Sequence, residues 1–194
     1  MTDVSDANGV QPYIVGLGGA IRGGSSTEKA LRLVLSAAER RGARTLLISG
    51  ESLRLPFFAP EGADRDDLAR TMVAELAKAD GIILASPGYH GTLSGVVKNA
   101  LDYVEDLRDD ARPYLSGRPV GCVATGGGWQ GAVHTLGALR NIVHALRGWP
   151  TPMGAAINTS EKVFDADGAC LNPRVAETLE QIAAEVLAFV HARN

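Results

Sequence analysis

Five short apolar runs alternate with stretches whose apolar residues recur at helical spacing, and this alternation limits the fold of the chain more than any other feature. The runs are Tyr13 to Leu17, Thr45 to Ser49, Gly81 to Ala85, Pro119 to Ala124 and a segment within Pro152 to Ile157. They are strand-sized, and continuous hydrophobicity such as Gly81-Ile82-Ile83-Leu84-Ala85 suits a strand buried on both faces of a parallel sheet. The helical period predicts helices from about Thr27 to Arg41, Asp66 to Ala79, Gly95 to Leu107, Leu136 to Arg147 and Pro173 to Ala192. The first of these places Ala30, Leu31, Val34, Leu35 and Ala38 on one face. Strands alternating with helices imply right-handed crossovers between parallel strands, and therefore a three-layer α/β sandwich. Residues 1–11 are polar and aperiodic and read as a flexible tail. Residues 12–194 read as one domain, because 194 residues bury one sizeable core and are short for two.

Within this class a five-stranded sheet of order 2-1-3-4-5, the flavodoxin-like arrangement, is favoured. It keeps its ligand crevice at the carboxyl ends of the strands, near the switch between strands 1 and 3. Three loops in the sequence look built for a ligand, and they follow strands 1, 3 and 4, which that order places side by side. The first runs from Gly18 through Gly19, Ala20, Ile21, Arg22, Gly23 and Gly24 to Ser25, Ser26 and Thr27. Its glycines permit inward-facing amides, its hydroxyls can donate to phosphate oxygens, and the helix that starts there adds a positive dipole end. Arg22 suits a phosphate, either on the same ligand or on a nicotinamide nucleotide. A Walker-type loop would need Lys followed by Ser or Thr after the last glycine, and none is present. A Gly-x-Gly-x-x-Gly dinucleotide fingerprint starts at Gly16 and Gly18 but meets Ile21 at its third position. Ser25 and Ser26 also suit simple capping of the first helix.

The second loop, Ser86-Pro87-Gly88-Tyr89-His90-Gly91, stops the third strand at Pro87 by removing a ladder donor and carries an aromatic ring and an imidazole at its tip. The third, Thr125-Gly126-Gly127-Gly128-Trp129-Gln130-Gly131, suits a planar ring system lying against the backbone. Trp129 reads equally as a wall of the site or as part of a subunit interface, and His90 as a site residue or a solvated one.

The segment from Pro87 through Tyr89, His90, Gly91, Gly95, Lys98 and Asn99 to Asp102 resembles the signature of the NADPH-dependent FMN reductase family, with His90 where that family often has Asn. The first loop resembles the family's Gly-Ser-x-Arg-x-x-Ser segment through Gly19, Arg22 and Ser25, with Ala20 in place of Ser. The third resembles its Ala- or Thr-Gly-Gly stretch. The resemblance implies FMN as cofactor and NADPH as hydride donor, with NADH the alternative. It implies cofactor binding by Gly19, Arg22, Ser25, Ser26, Thr27, Pro87, Gly88, Tyr89, His90, Gly91, Thr125, Gly126, Gly127 and Gly128. No catalytic side chain is expected, since flavin N5 receives the hydride. Electrons then pass to free flavin, a quinone-like acceptor, an azo dye, a metal ion or a partner monooxygenase. A homodimer or homotetramer is also implied. Lys98, Asn99 and Asp102 read as loop bracing and subunit contacts.

Composition removes other classes. A net charge of −3 with no basic stripe speaks against nucleic acid, and no apolar run reaches the roughly 20 residues of a membrane span. Cys122 and Cys170 show neither metal nor redox spacing and fit a reducing cytoplasm. His134 and His144 lack metal spacing, so no metal site is expected. A flavodoxin-type electron carrier remains the reading from another class, although such carriers usually show a strongly acidic face. The apolar Leu55-Pro56-Phe57-Phe58 reads as a cover over a neighbouring subunit or over the flavin pocket.

Overall fold

A computed structural model of the chain describes residues 11–62 and 65–193. The expected tail falls outside them except for Gln11, which is exposed. Six strands and five α-helices follow in the order β1 (Tyr13–Gly18), α1 (Ser26–Glu39), β2 (Arg44–Ile48), α2 (Asp67–Lys78), β3 (Gly81–Tyr89), β4 (Thr92–Leu93), α3 (Gly95–Asp102), β5 (Pro119–Gly126), α4 (Trp129–Ala145), β6 (Trp149–Asn158) and α5 (Pro173–Arg193). Short 3-10 turns at Gly50–Leu53 and Tyr103–Leu107 follow β2 and α3. The long strands are parallel in the order β2-β1-β3-β5-β6, and β4 is an antiparallel addition to β3. Among the five long strands this is the expected 2-1-3-4-5, and the fold is flavodoxin-like.

Side-chain alternation along the strands divides the interior into two cores. Tyr13, Val15 and Leu17 of β1, Ile82 and Leu84 of β3, and Cys122 and Ala124 of β5 pack against α2, α3 and α4 through Met72, Leu76, Val97, Leu101 and Leu139. Ile14, Ile83 and Val123 point the other way, onto Leu31, Val34 and Leu35 of α1 and Ile182 and Val186 of α5. Both faces of the sheet are therefore covered, which is why the strands read as continuous apolar runs.

Four boundaries differ by three residues or more from the sequence reading; the first is α3, which is expected to reach Leu107 but ends at Asp102 and continues as a 3-10 turn. β3 does not stop at Pro87 but runs to Tyr89 and turns back into β4. The ladder explains this: β1 ends where Gly18 faces Ala85, so beyond that point β3 is an edge on one side and tolerates a residue without an N–H. α4 begins at Trp129, seven residues before the expected Leu136, because its N-cap is Gly128 and no side chain announces the start. β6 begins at Trp149 and takes Pro150 and Pro152 into an edge strand whose register against β5 shifts between Val120 and Cys122.

Candidate functional site

The carboxyl ends of β1, β3 and β5 lie next to each other, and each leads into one of the three glycine-rich loops. At the first, β1 and β3 come too close for any side chain. A Cβ on Gly18 would lie 1.8 Å from the carbonyl oxygen of Ala85, and the residue has φ of 141°. The amide of Gly19 then donates to that same carbonyl at 3.0 Å. This fixes where the loop leaves the sheet. At its far end Ser25 caps α1, its Oγ accepting from the Glu28 amide at 3.2 Å. Glu28 itself is buried and accepts from the Gly24 amide, one residue before the cap, and from Arg32, so it braces the loop against the first turn. Ser25 and Ser26 are half-buried, and Arg22 stands exposed without an ion pair among the described residues.

The second loop is a two-residue hairpin. Tyr89 faces Thr92, and His90 and Gly91 turn the corner with φ of 49° and 97°. Pro87 is buried, Gly88 half-buried, and Tyr89, His90 and Gly91 are exposed. The hairpin leans on α4 at Gly88, where a Cβ would lie 2.5 Å from Thr135 Oγ1. Ser94 caps α3 behind it, and Ser86 Oγ accepts from the Ser94 amide at 3.0 Å, tying the two sides of the loop together.

The third loop is locked at its base and open at its tip. Gly126 offers its carbonyl to both the amide and the hydroxyl of Thr159, at 2.7 and 3.0 Å. Beyond it, Gly127 and Gly128 have open space where a Cβ would be, and α4 begins with no side-chain cap on its amides. Trp129, just past the loop, is 56% exposed. The hydroxyls of Thr27 and Thr125, both assigned to a cofactor from sequence, are buried and hydrogen-bond each other at 2.6 Å.

This arrangement fits a phosphate-bearing flat ligand. Two helix N-termini face the loops, one of them uncapped, hydroxyls and an unpaired guanidinium stand at the first loop, and backbone without side chains lines the third. A scan of family models matches residues 12–162 to NADPH-dependent FMN reductase. The chain belongs to the NADPH-dependent FMN reductase family. With it come the cofactors named in that description, FMN and NADPH. The FMN-dependent NADPH-azoreductase of Staphylococcus aureus is 36% identical over 91 residues, a stretch that covers 47% of this chain and 45% of that protein. The match thus spans about half the length of the curated relatives. Among solved structures, FerB, a flavoenzyme NAD(P)H:(acceptor) oxidoreductase from Paracoccus denitrificans, superposes with a TM-score of 0.77 at 21% identity, over 94% of this chain and 98% of that one. A flavodoxin of Streptococcus pneumoniae TIGR4 gives 0.61 at 16% identity, over 92% and 99%. These likenesses show the fold.

Other singled-out residues lie elsewhere. Asn99 braces the Leu55–Phe58 segment, accepting from the Phe58 amide at 2.9 Å and donating to the Pro56 carbonyl at 2.8 Å, and Tyr103 donates to the same carbonyl. Phe58 packs edge-on against Tyr103, whereas Phe57 is 93% exposed. Lys98 and Asp102 pair with each other, and His134 and His144 are exposed. Among the described residues no cluster of His, Cys, Asp or Glu suits a metal, and no helix is long and apolar enough to cross a membrane. Sequence reasoning missed Thr159 and Ser94 as bracing residues; each reaches the loops from a neighbouring element, and local pattern carries no signal for such a contact.

Proposed function

We propose that the chain is an NAD(P)H-dependent FMN reductase whose reduced flavin passes electrons to a second acceptor, and that the three loops are its FMN site. The observation that carries this reading is their adjacency: β1, β3 and β5 are neighbours in the sheet, and their ends lead into two helix N-termini and two stretches of bare backbone. Ser25, Ser26 and the first amides of α1 hold the phosphate, with Arg22 pairing either that phosphate or the one that distinguishes NADPH from NADH. Pro87 to Gly91 and Gly126 to Gly128 bound the ring, and Tyr89 and His90 stand at the exposed rim. FMN, when bound, supplies acceptance of a hydride and its onward release as electrons. The protein contributes position and fixed dipoles, and no side chain is required as a general acid or base for the first transfer.

The acceptor is free flavin, handed on to a monooxygenase, or a quinone-like compound. A second reading, an azo reductase, is supported by the azoreductases of Staphylococcus aureus among the relatives. A homodimer or homotetramer belongs to the same proposal, supported by Trp129, Val133 and Trp149, each more than half exposed.

Flavin fluorescence titration tests the site. The apoprotein is expected to take up FMN, and Arg22→Ala is expected to weaken either FMN or NADPH binding about tenfold, the worth of one charged hydrogen bond, without moving the unfolding midpoint. No uptake of FMN by the wild-type chain overturns the reading; unchanged affinities in the variant remove Arg22 from it.

A further inference from the structure

The bond between the hydroxyls of Thr27 and Thr125 crosses 98 residues of sequence and joins the first turn of α1 to the end of β5. The two side chains are 2% and 3% exposed. Two valines would fill the same space without the cost of drying two hydroxyls, and β5 is apolar from Pro119 to Ala124. The pair is a directional link where packing alone would serve.

Thr125 also sits where the three loops meet. Its hydroxyl reaches the helix that follows the first loop, its backbone faces Pro87 of the second across the β3 ladder, and it opens the third. On the other side it faces Ile157 of β6, and the next carbonyl, that of Gly126, is held by Thr159. Thr27 and Thr125 are therefore in direct contact, and the Gly126 carbonyl beyond them has its own partner in Thr159. An anion on the α1 N-terminus would bond the amides of the turn that carries Thr27.

We propose that Thr27 and Thr125 are positioning residues whose hydroxyl bond couples the phosphate end of the site to the ring end, so that an anion at α1 tightens flavin binding at the glycine loop. This rests on the FMN reading above. Coupling of this kind is reciprocal: whatever the anion does for the ring, the ring does for the anion.

Riboflavin, which has the ring without the phosphate, separates the two ends. It is titrated into the apoprotein by fluorescence with and without saturating inorganic phosphate, at ionic strength matched with potassium chloride. Phosphate is expected to tighten riboflavin binding about fivefold in the wild type and in Thr27→Ser, a size common for coupled sites. It is expected to do nothing in Thr27→Val or in the double variant Thr27→Val with Thr125→Val, which removes both hydroxyls and leaves neither unpaired. Circular dichroism and the unfolding midpoint establish that each variant is folded. Valine variants that keep the full phosphate effect overturn the coupling, as does a wild type that binds FMN yet shows no phosphate effect on riboflavin. A wild type that binds neither flavin overturns the FMN reading and the coupling with it.

Discussion

His90 takes a backbone conformation that most side chains avoid. With Gly91 it makes a two-residue corner in which both φ angles are positive, the mirror-image turn whose twist matches that of a hairpin and whose best sequence is Asn-Gly. The Asn that the family often carries at this place thus has a structural explanation, and His is one of the few other side chains enriched in this region. His90→Asn is expected to raise stability by about 0.5 kcal/mol in urea denaturation, the size of a favourable surface change; a lowered midpoint would mean that the imidazole makes a compensating contact. The sequence placed His90 at a loop tip but left the tip's geometry unread. The returning strand is only Thr92–Leu93, too short for a period of two to be seen. Ser25 is the contrasting case: followed at three residues by Glu28, it is legible as a helix start from local pattern alone.

At the scale of elements, helix ends decide much of the fold. The last carbonyls of α2 find their partner in Arg118, which is fully buried and donates to Ala77 at 2.6 Å and Ala79 at 3.1 Å, as well as to Tyr114 at 2.9 Å. Burial, and then the nearby Arg112, push its guanidinium down to about 10, still charged at neutral pH. Arg118→Met leaves the Ala79 and Tyr114 carbonyls dry and unpaired, while Ala77 keeps its bond from Arg112, and the loss is offset in part by relief from burying a charge; a net loss of about 2 kcal/mol in urea denaturation is expected. No loss would show that the carbonyls find other donors. At the start of β1, burial and the hydrogen bond to Glu75 push the Tyr13 phenol up to about 12. Below pH 10 the phenol is protonated in the folded and unfolded chains alike, and its contribution is complete. Between pH 10 and 12 only the folded chain holds the proton, so stability falls as pH rises. Tyr13→Phe is expected to lose that alkaline fall, on the order of 1 kcal/mol by pH 12; a fall of the same size in the variant would assign it to other groups. Elements with strong local signals, such as α1 and the buried strands, were legible in the sequence. The start of α4 was not, because its glycine cap and the glycines before it look like loop.

For the whole molecule, order in the sheet converts sequence separation into adjacency. Loops near residues 20, 88 and 127 lie side by side only because β1, β3 and β5 are consecutive in space. The parallel sheet followed from strand-helix alternation, and the adjacency from the order 2-1-3-4-5 favoured within that class. The contacts that brace the loops, Thr27 to Thr125 and Thr159 to Gly126, did not follow, since nothing local to either residue marks its partner. The two cores on either side of the sheet hold the strand ends that carry these loops. Function on this account is the property of a preorganised backbone rather than of a catalytic side chain. The most direct test is anaerobic stopped-flow mixing of the FMN-loaded protein with NADPH and with NADH, followed by flavin absorbance. Rapid bleaching, faster with the preferred donor, is the predicted result; bound flavin that stays oxidised with both donors would contradict the reductase and leave an electron carrier in its place.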